Sequence, residues 1–142
     1  MITYPIEFRS ETLAKNGVDT LWTARTGSQE TLLAVPPEFG GPGGGLSPED
    51  LFNLALANCF TATFKVYAEN SKLTFSDLFV RSRLIVDLDQ NKRPVMKEFF
   101  LEAKIHSPSN PERALLLAKK ASESGFILNS IKTQCHFEFE VI

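Results

Sequence analysis

The chain has 142 residues, 15 basic and 17 acidic side chains, a net charge of −2 and 43% hydrophobic residues; this is an ordinary globular composition, long enough to bury about two-thirds of its unfolded surface without disulfides or metal. The basic residues are scattered among acidic ones without forming a stripe, which argues against nucleic acid as a partner. Two cysteines are too few for a disulfide scaffold, His106 and His136 have no second ligand at metal spacing, and the start MITYPIEF lacks an export signal, so no metal, no cofactor and a cytoplasmic, reducing setting are expected.

Residues 2–11 alternate, with Ile2, Tyr4, Ile6 and Phe8 on one face and Thr3, Glu7 and Arg9 near the other. This predicts a half-buried strand, and Pro5 assigns it to a sheet edge. Asn16-Gly17 is a turn signal before a second strand near Thr20–Arg25. Thr26-Gly27-Ser28 then turns the chain into a third, Glu30–Val35, to complete a meander that Pro36-Pro37 ends.

A glycine-rich run (Gly40, Gly41, Gly43, Gly44, Gly45) leads into Ser47-Pro48-Glu49-Asp50. Ser47 reads as an N-cap, Pro48 as the first helical residue, and Glu49 and Asp50 as carboxylates at the positive end of the helix dipole. The helix expected from Pro48 to Asn70 shows almost no polar face. Phe52, Ala55, Leu56, Cys59, Ala62, Thr63 and Val66 form one stripe, widened by Leu51, Leu54 and Phe64, which implies burial inside a domain or a bilayer. Asn53, Asn58 and Lys65 interrupt it, and no flanking basic cluster orients it, so the reading is a core helix and no membrane span.

Phe75–Leu88 alternates as a strand, Asp89–Arg93 turns, and Val95–His106 returns. Ser107–Pro111 breaks the sheet and starts a second helix, with Asn110 as N-cap, Pro111 at the first position and Ala114, Leu117, Ala118 and Ala121 on the apolar face. That helix weakens at Ser124-Gly125, a short helical turn follows through Phe126–Ile131, and Gln134–Ile142 closes the chain as a strand with Cys135, Phe137, Phe139 and Val141 facing one way. The order βββ-α-ββ-α-β, without repeated βαβ units, predicts one α+β domain over residues 1–142, antiparallel-rich, its sheets wrapped around a long central helix. One small sheet cannot cover a helix this apolar, so an intertwined homodimer is expected. Twelve phenylalanines point to an aromatic core, with some of the surplus available to an apolar pocket or subunit interface.

On position alone, Cys59 is a buried structural thiol, since mid-helix placement offers no dipole to lower its pKa and reactivity would require a nearby cation. Cys135, alternating with phenylalanines, reads as a core residue. The GGPGGG run lacks the Lys-Ser/Thr of a nucleotide loop.

The string SPEDLFNLALANCF resembles the central-helix motif of the OsmC family, the osmotically inducible protein C and organic hydroperoxide resistance group. Its members carry a glycine-rich loop, Asn/Ser-Pro-Glu, two apolar residues and an Ala-rich turn ending in the peroxidatic cysteine. Glu49 and Cys59 stand ten positions apart, as in that family, and the element order matches along essentially the whole chain. The resemblance implies a dimer with active sites at the subunit interface, a catalytic Cys59 that reduces hydroperoxides, and an activating arginine held by the motif glutamate. Helix rise separates Glu49 from Cys59 by about 15 Å, so Glu49 would act through an intervening cation or on the partner's site.

Two positions depart from the family pattern. Where the resolving cysteine of a Cys-Pro-x-Ser turn would fall, the chain has Gly125, and Cys135 does not match that position. The turn after the first strand, Leu13-Ala14-Lys15-Asn16-Gly17, has no arginine, which leaves Lys15 or Arg25 as the candidate cation. The expected function is a thiol-dependent peroxide reductase whose oxidised Cys59 is resolved by an external thiol. The alternative is a non-catalytic OsmC-like dimer holding a small apolar ligand at its interface. A hot-dog thioesterase also wraps sheet around a helix, and the second substantial helix counts against it.

Overall fold

A computed structural model describes residues 1–142. Chain order gives β1 (Glu11–Leu13), β2 (Trp22–Thr26), β3 (Gln29–Leu33), a 3-10 turn at Pro37–Phe39, α1 (Pro48–Asn70), β4 (Asp77–Leu88), β5 (Pro94–His106), α2 (Pro111–Ser124), a second 3-10 turn at Leu128–Ser130, and β6 (Gln134–Val141). The predicted order βββ-α-ββ-α-β is therefore present. Contacts group the chain into two units, residues 1–51 and 52–142, with the boundary after the first turn of α1.

In the first unit, β1, β2 and β3 form an antiparallel meander. The β2–β3 connection places Gly27 at φ 60° as the first of two loop residues, the place where a type II′ hairpin turn requires a residue without Cβ strain. The glycine-rich run folds back on β3: Leu46 N donates to Leu32 O (2.9 Å) and Ala34 N donates to Leu46 O (3.0 Å). A Cβ on Gly41 would lie 2.0 Å from Val35 O, and one on Gly45 2.8 Å from Leu32 O. Close backbone approach accounts for glycine at these two positions.

The first strand is shorter than its alternation predicts. Pairing begins only at Glu11, and Ile2 and Phe8 are 58% and 90% exposed. Alternation marks which side chains would share a face, but a strand exists only where a neighbour accepts its hydrogen bonds, and within the chain none lies beside residues 2–8.

In the second unit, β4 pairs antiparallel with β5 across a register shift at Ile85/Val86, and β6 lies parallel to β5 on its other side. That parallel pairing follows from α2, which carries the chain back over the sheet between β5 and β6, the single βαβ unit in the fold. The inner sheet face presents Phe99, Leu101, Ala103 and Ile105, all at most 1% exposed, together with the half-buried Cys135, Phe137 and Phe139. Against it lie Leu56, Phe60 and Phe64 of α1 and Ala114, Ala118 and Ala121 of α2. Phe60 is the centre of this core, its ring 5.6 Å from Phe139 and 6.2 Å from Phe64 and Phe137. Each such side chain contributes about 1.5–3 kcal/mol by leaving water. Alanine at three α2 positions lets that helix approach closely, and the predicted Asn110 cap accepts from Arg113 N.

The buried stripe of α1 runs through Leu56, Phe60, Phe64 and Ala68, whereas the expected one was Phe52, Ala55, Leu56, Cys59, Ala62, Thr63 and Val66, widened by Leu51, Leu54 and Phe64; Leu56 and Phe64 are common to both, and the centre of the buried face is shifted towards Phe60. Cys59 is half-buried and Ala62 exposed, and Leu51, Leu54 and Val66 are 38%, 48% and 55% exposed. A helix apolar all round contains no local instruction for which side meets the sheet, so facing partners decide it.

Candidate active site

The start of α1 is held by a reciprocal pair: Asp50 N donates to Ser47 Oγ and Ser47 N donates to Asp50 Oδ2, each at 2.9 Å. This is a capping box with aspartate in the N3 place, and Ser47 is 5% exposed. It fixes the helical register from which both motif residues project. Glu49 is half-buried in the first turn, near the positive end of the dipole. Cys59 lies in the middle of the same helix, with about 15 Å of helix rise between them. The two do not meet within the helix.

Cys59 belongs to a second stripe of α1, Cys59–Thr63–Tyr67, that meets the end of α2. Thr63 Oγ1 donates to Cys59 O at 2.7 Å, closing the backbone beside the thiol. Across the seam lies Gly125, the C-cap of α2: a Cβ built there would lie 2.5 Å from Cys59 Sγ, 3.3 Å from Leu128 Cδ1 and 3.5 Å from Thr63 Oγ1. Gly125 has φ −67° and ψ 137°, a conformation open to any L-residue, so the sulfur is what makes a side chain costly there.

One turn along, Tyr67 Oη and Ser124 Oγ are 2.5 Å apart. Ser124 Oγ donates to Lys120 O (2.6 Å), so the tyrosine hydroxyl is the donor between them. Lys120 Nζ sits 4.6 Å from the Tyr67 ring centroid, a cation–π contact. These interactions pin the last turn of α2 against the stripe and hold Gly125 under Cys59. Neither Gly125 as a neighbour nor the Tyr67–Ser124 clamp was visible from residue spacing, because the partners lie far apart in the chain. The only signal was the resemblance, which put the family's second cysteine at Gly125.

The other expected site residues lie elsewhere. Lys15 is exposed in the β1–β2 connection. Arg25 is on β2, where its Nη2 is 2.5 Å from Glu11 Oε1 of the paired strand. Both belong to the first unit, and Cys59 to the second. Cys135 is half-buried on the inner sheet face, where burial pushes its thiol pKa up, which suits an inert core residue. His106 pairs with Asp77 (3.1 Å) and His136 with Glu98 (3.2 Å) on the outer sheet face. A shallow groove of about 580 Å³ on that face is lined by Arg81, Arg83, Phe100, Glu102, His136 and Glu138, among others, and by neither cysteine. No helix is long and apolar enough to cross a membrane.

The geometry at Cys59 coincides with likeness to known proteins. Residues 41–140, which hold all of the glycine-rich run but Gly40 together with Glu49, Cys59 and Gly125, match the family model described as OsmC-like protein. The uncharacterized protein YmaD of Bacillus subtilis (strain 168) is 29% identical over 122 residues, covering 83% of this chain and 81% of that protein. An OsmC-like protein of unknown function from Vibrio cholerae superposes with a TM-score of 0.84 at 16% identity, covering 95% of this chain and 99% of that one. An organic hydroperoxide resistance protein OsmC from Legionella pneumophila does so with a TM-score of 0.71 at 23% identity, covering 98% of both. The structural matches establish the α+β architecture, and the match over residues 41–140 the lineage: this chain belongs to the OsmC-like protein family.

Proposed function

We propose that the protein is a thiol-dependent peroxide reductase acting in peroxide stress, with Cys59 as its peroxidatic residue. The observation that carries this reading is a half-buried Cys59 in the middle of α1, ten residues after Glu49 in the family motif, with its sulfur at the α1–α2 seam. Structural neighbours from Legionella pneumophila and Bacillus subtilis bear the name organic hydroperoxide resistance protein, which supports the substrate class. The Cys59 thiolate attacks the terminal peroxide oxygen, the O–O bond breaks, and a proton goes to the departing oxygen. This releases an alcohol and leaves Cys59 as a sulfenic acid. An external thiol condenses with that acid and expels water, and a second thiol restores Cys59 by exchange.

The thiolate requires a positive charge nearby. Lys15 or Arg25 supplies it in this reading, oriented by Glu49 where two copies of the chain meet. Arg25 would have to leave Glu11, an exposed pair worth little in itself. A homodimer is supported by the large apolar side chains left exposed on the helices, Leu54 and Val66 at 48% and 55% and Leu116 at 69%, which a second copy would take out of water. The reducing interior of the cell is the setting that keeps Cys59 a free thiol.

The test is hydroperoxide consumption by pure protein with a dithiol reductant. Activity is expected, with its loss in Cys59→Ser, and activity unchanged in that variant excludes the reading. The second reading, a non-catalytic dimer that holds a small apolar ligand, is favoured by the missing second thiol and the exposed apolar line on α1. It predicts a Cys59 that reacts with peroxide no faster than a free thiol, whereas the peroxidase requires a rate well above that.

A further inference from the structure

We infer that the outer face of the β4–β5–β6 sheet docks a second copy of the chain, in a two-fold contact that lays the basic β4 of each copy over the acidic β6 of the other. The strand registers place three cross-strand rows on this face: Arg83–Phe100–His136, Arg81–Glu102–Glu138 and Phe79–Lys104–Glu140. Charge is segregated by strand along these rows. β4 contributes Arg81 and Arg83, β6 contributes Glu138 and Glu140, and β5 between them carries Glu102 and Lys104, one of each sign. At the two ends of the face, Glu98 is taken up by His136 and Asp77 by His106. Arg83, Glu138 and Glu140 are exposed and enter no ion pair within the chain.

A face polarised in this way is self-complementary in one orientation. With the two-fold axis along the strands, β4 of one copy lies over β6 of the other, so Arg81 and Arg83 meet the second copy's Glu138 and Glu140, and the same pairing recurs on the other side of the axis. With the axis across the strands, β4 lies over β4 and the arginines oppose each other. Sheets stacked face to face sit about 10 Å apart, a gap that arginine and glutamate span when each extends from its own side. On the axis β5 meets β5, which brings Phe100 against its own copy. Glu102 arrives there already held by Arg81 at 3.0 Å, and Lys104 has Glu140 beside it in register.

Part of the face is ordered in advance. The Arg83 guanidinium lies 4.0 Å from the Phe100 ring centroid, and the His136 imidazole stacks on the same ring at 4.6 Å and 17°. Side chains already held flat lose little freedom on docking. Phe79, 49% exposed, adds apolar area at the rim. α1 and α2 pack on the opposite face of this sheet, so the contact is separate from any made through the helices and doubles whatever assembly they form. A face three strands wide falls in the class of interfaces below about 1,200 Å² in total, which serve weak and reversible contacts.

The experiment is sedimentation equilibrium over a concentration series, at about 0.01 M salt, where the Debye length is about 30 Å, and at about 1 M, where it is about 3 Å. Wild type is expected to double in mass with concentration at low salt and to remain at half that mass at high salt. Arg81→Glu with Arg83→Glu, and Glu138→Arg with Glu140→Arg, should each weaken the association at least about tenfold, since like charges then oppose each other across the contact. All four substitutions in one chain exchange the signs of β4 and β6 and should restore it. A wild type whose mass does not depend on salt or concentration overturns the proposal, as does an association that both double variants leave intact. Weakening in the doubles without recovery in the fourfold variant overturns the two-fold arrangement. Should a variant not fold, wild type decides alone, and an association that persists at about 1 M salt refutes the charge pairing.

Discussion

Replacing Gly125 by alanine sets two opposing effects against each other, and the structure states which wins. Gly125 has an ordinary backbone conformation, so alanine restricts the unfolded chain and stabilises by about 0.4–1 kcal/mol if nothing is in the way. Cys59 Sγ is in the way, 2.5 Å from the new methyl, and Leu128 Cδ1 crowds the same methyl at 3.3 Å. Overpacking of this kind costs about 1–3 kcal/mol, so Gly125→Ala should destabilise by roughly 1–2 kcal/mol net. In a Cys59→Ala background the obstacle is gone, and the same substitution should stabilise by up to about 1 kcal/mol. The coupling of roughly 1.5–3 kcal/mol is measurable by a double-mutant cycle in urea at fixed protein concentration, with unchanged m-values as the check that compactness is preserved. Equal effects of Gly125→Ala in both backgrounds would show that the sulfur is not seated against Gly125.

Phe60→Ala removes a side chain with 0% exposure and three ring neighbours, and should cost about 3–5 kcal/mol in equilibrium unfolding; a loss below 1 kcal/mol would place the core elsewhere. Ser47→Ala and Asp50→Ala should each cost about 1 kcal/mol by breaking the reciprocal cap of α1, and the double variant less than their sum because each disables the same motif. Burial raises the Cys135 pKa, so folding favours the protonated thiol. Its contribution to stability is whole below the ordinary thiol range, about 8.5, and declines as pH rises towards and through the raised folded value. The stability gap between wild type and Cys135→Ala should therefore narrow above about pH 8.5, and a gap constant from neutral to strongly alkaline pH would contradict the burial of that thiol.

The features legible in the sequence were the local ones. Ser47-Pro48-Glu49-Asp50 and Asn110-Pro111 carry their own helix starts, because a cap and a proline at the first position act within a single turn. The alternation of Cys135, Phe137, Phe139 and Val141 likewise specified the inner face of β6. What escaped depends on partners distant in the chain. Residues 2–8 alternate as a strand should and have no neighbour to pair with. The side of α1 that meets the sheet was misassigned because Phe60 and Val66 are equally apolar. The parallel seat of β6 beside β5 follows from where α2 returns the chain, which no residue of β6 announces. The motif made Glu49 and Cys59 the candidates, while the contact of Cys59 with Gly125 required the α1–α2 seam, built from Tyr67, Ser124 and Lys120.

The most direct measurement of the account is the chemical state of one atom. Wild-type protein, fully reduced and mixed with a single equivalent of an organic hydroperoxide, should within seconds yield one equivalent of the alcohol and a dimedone adduct that peptide mapping assigns to Cys59, with Cys135 unlabelled. Stoichiometric peroxide left intact, or a label found on Cys135 with Cys59 still a thiol, would contradict the claim that this sulfur is the redox centre.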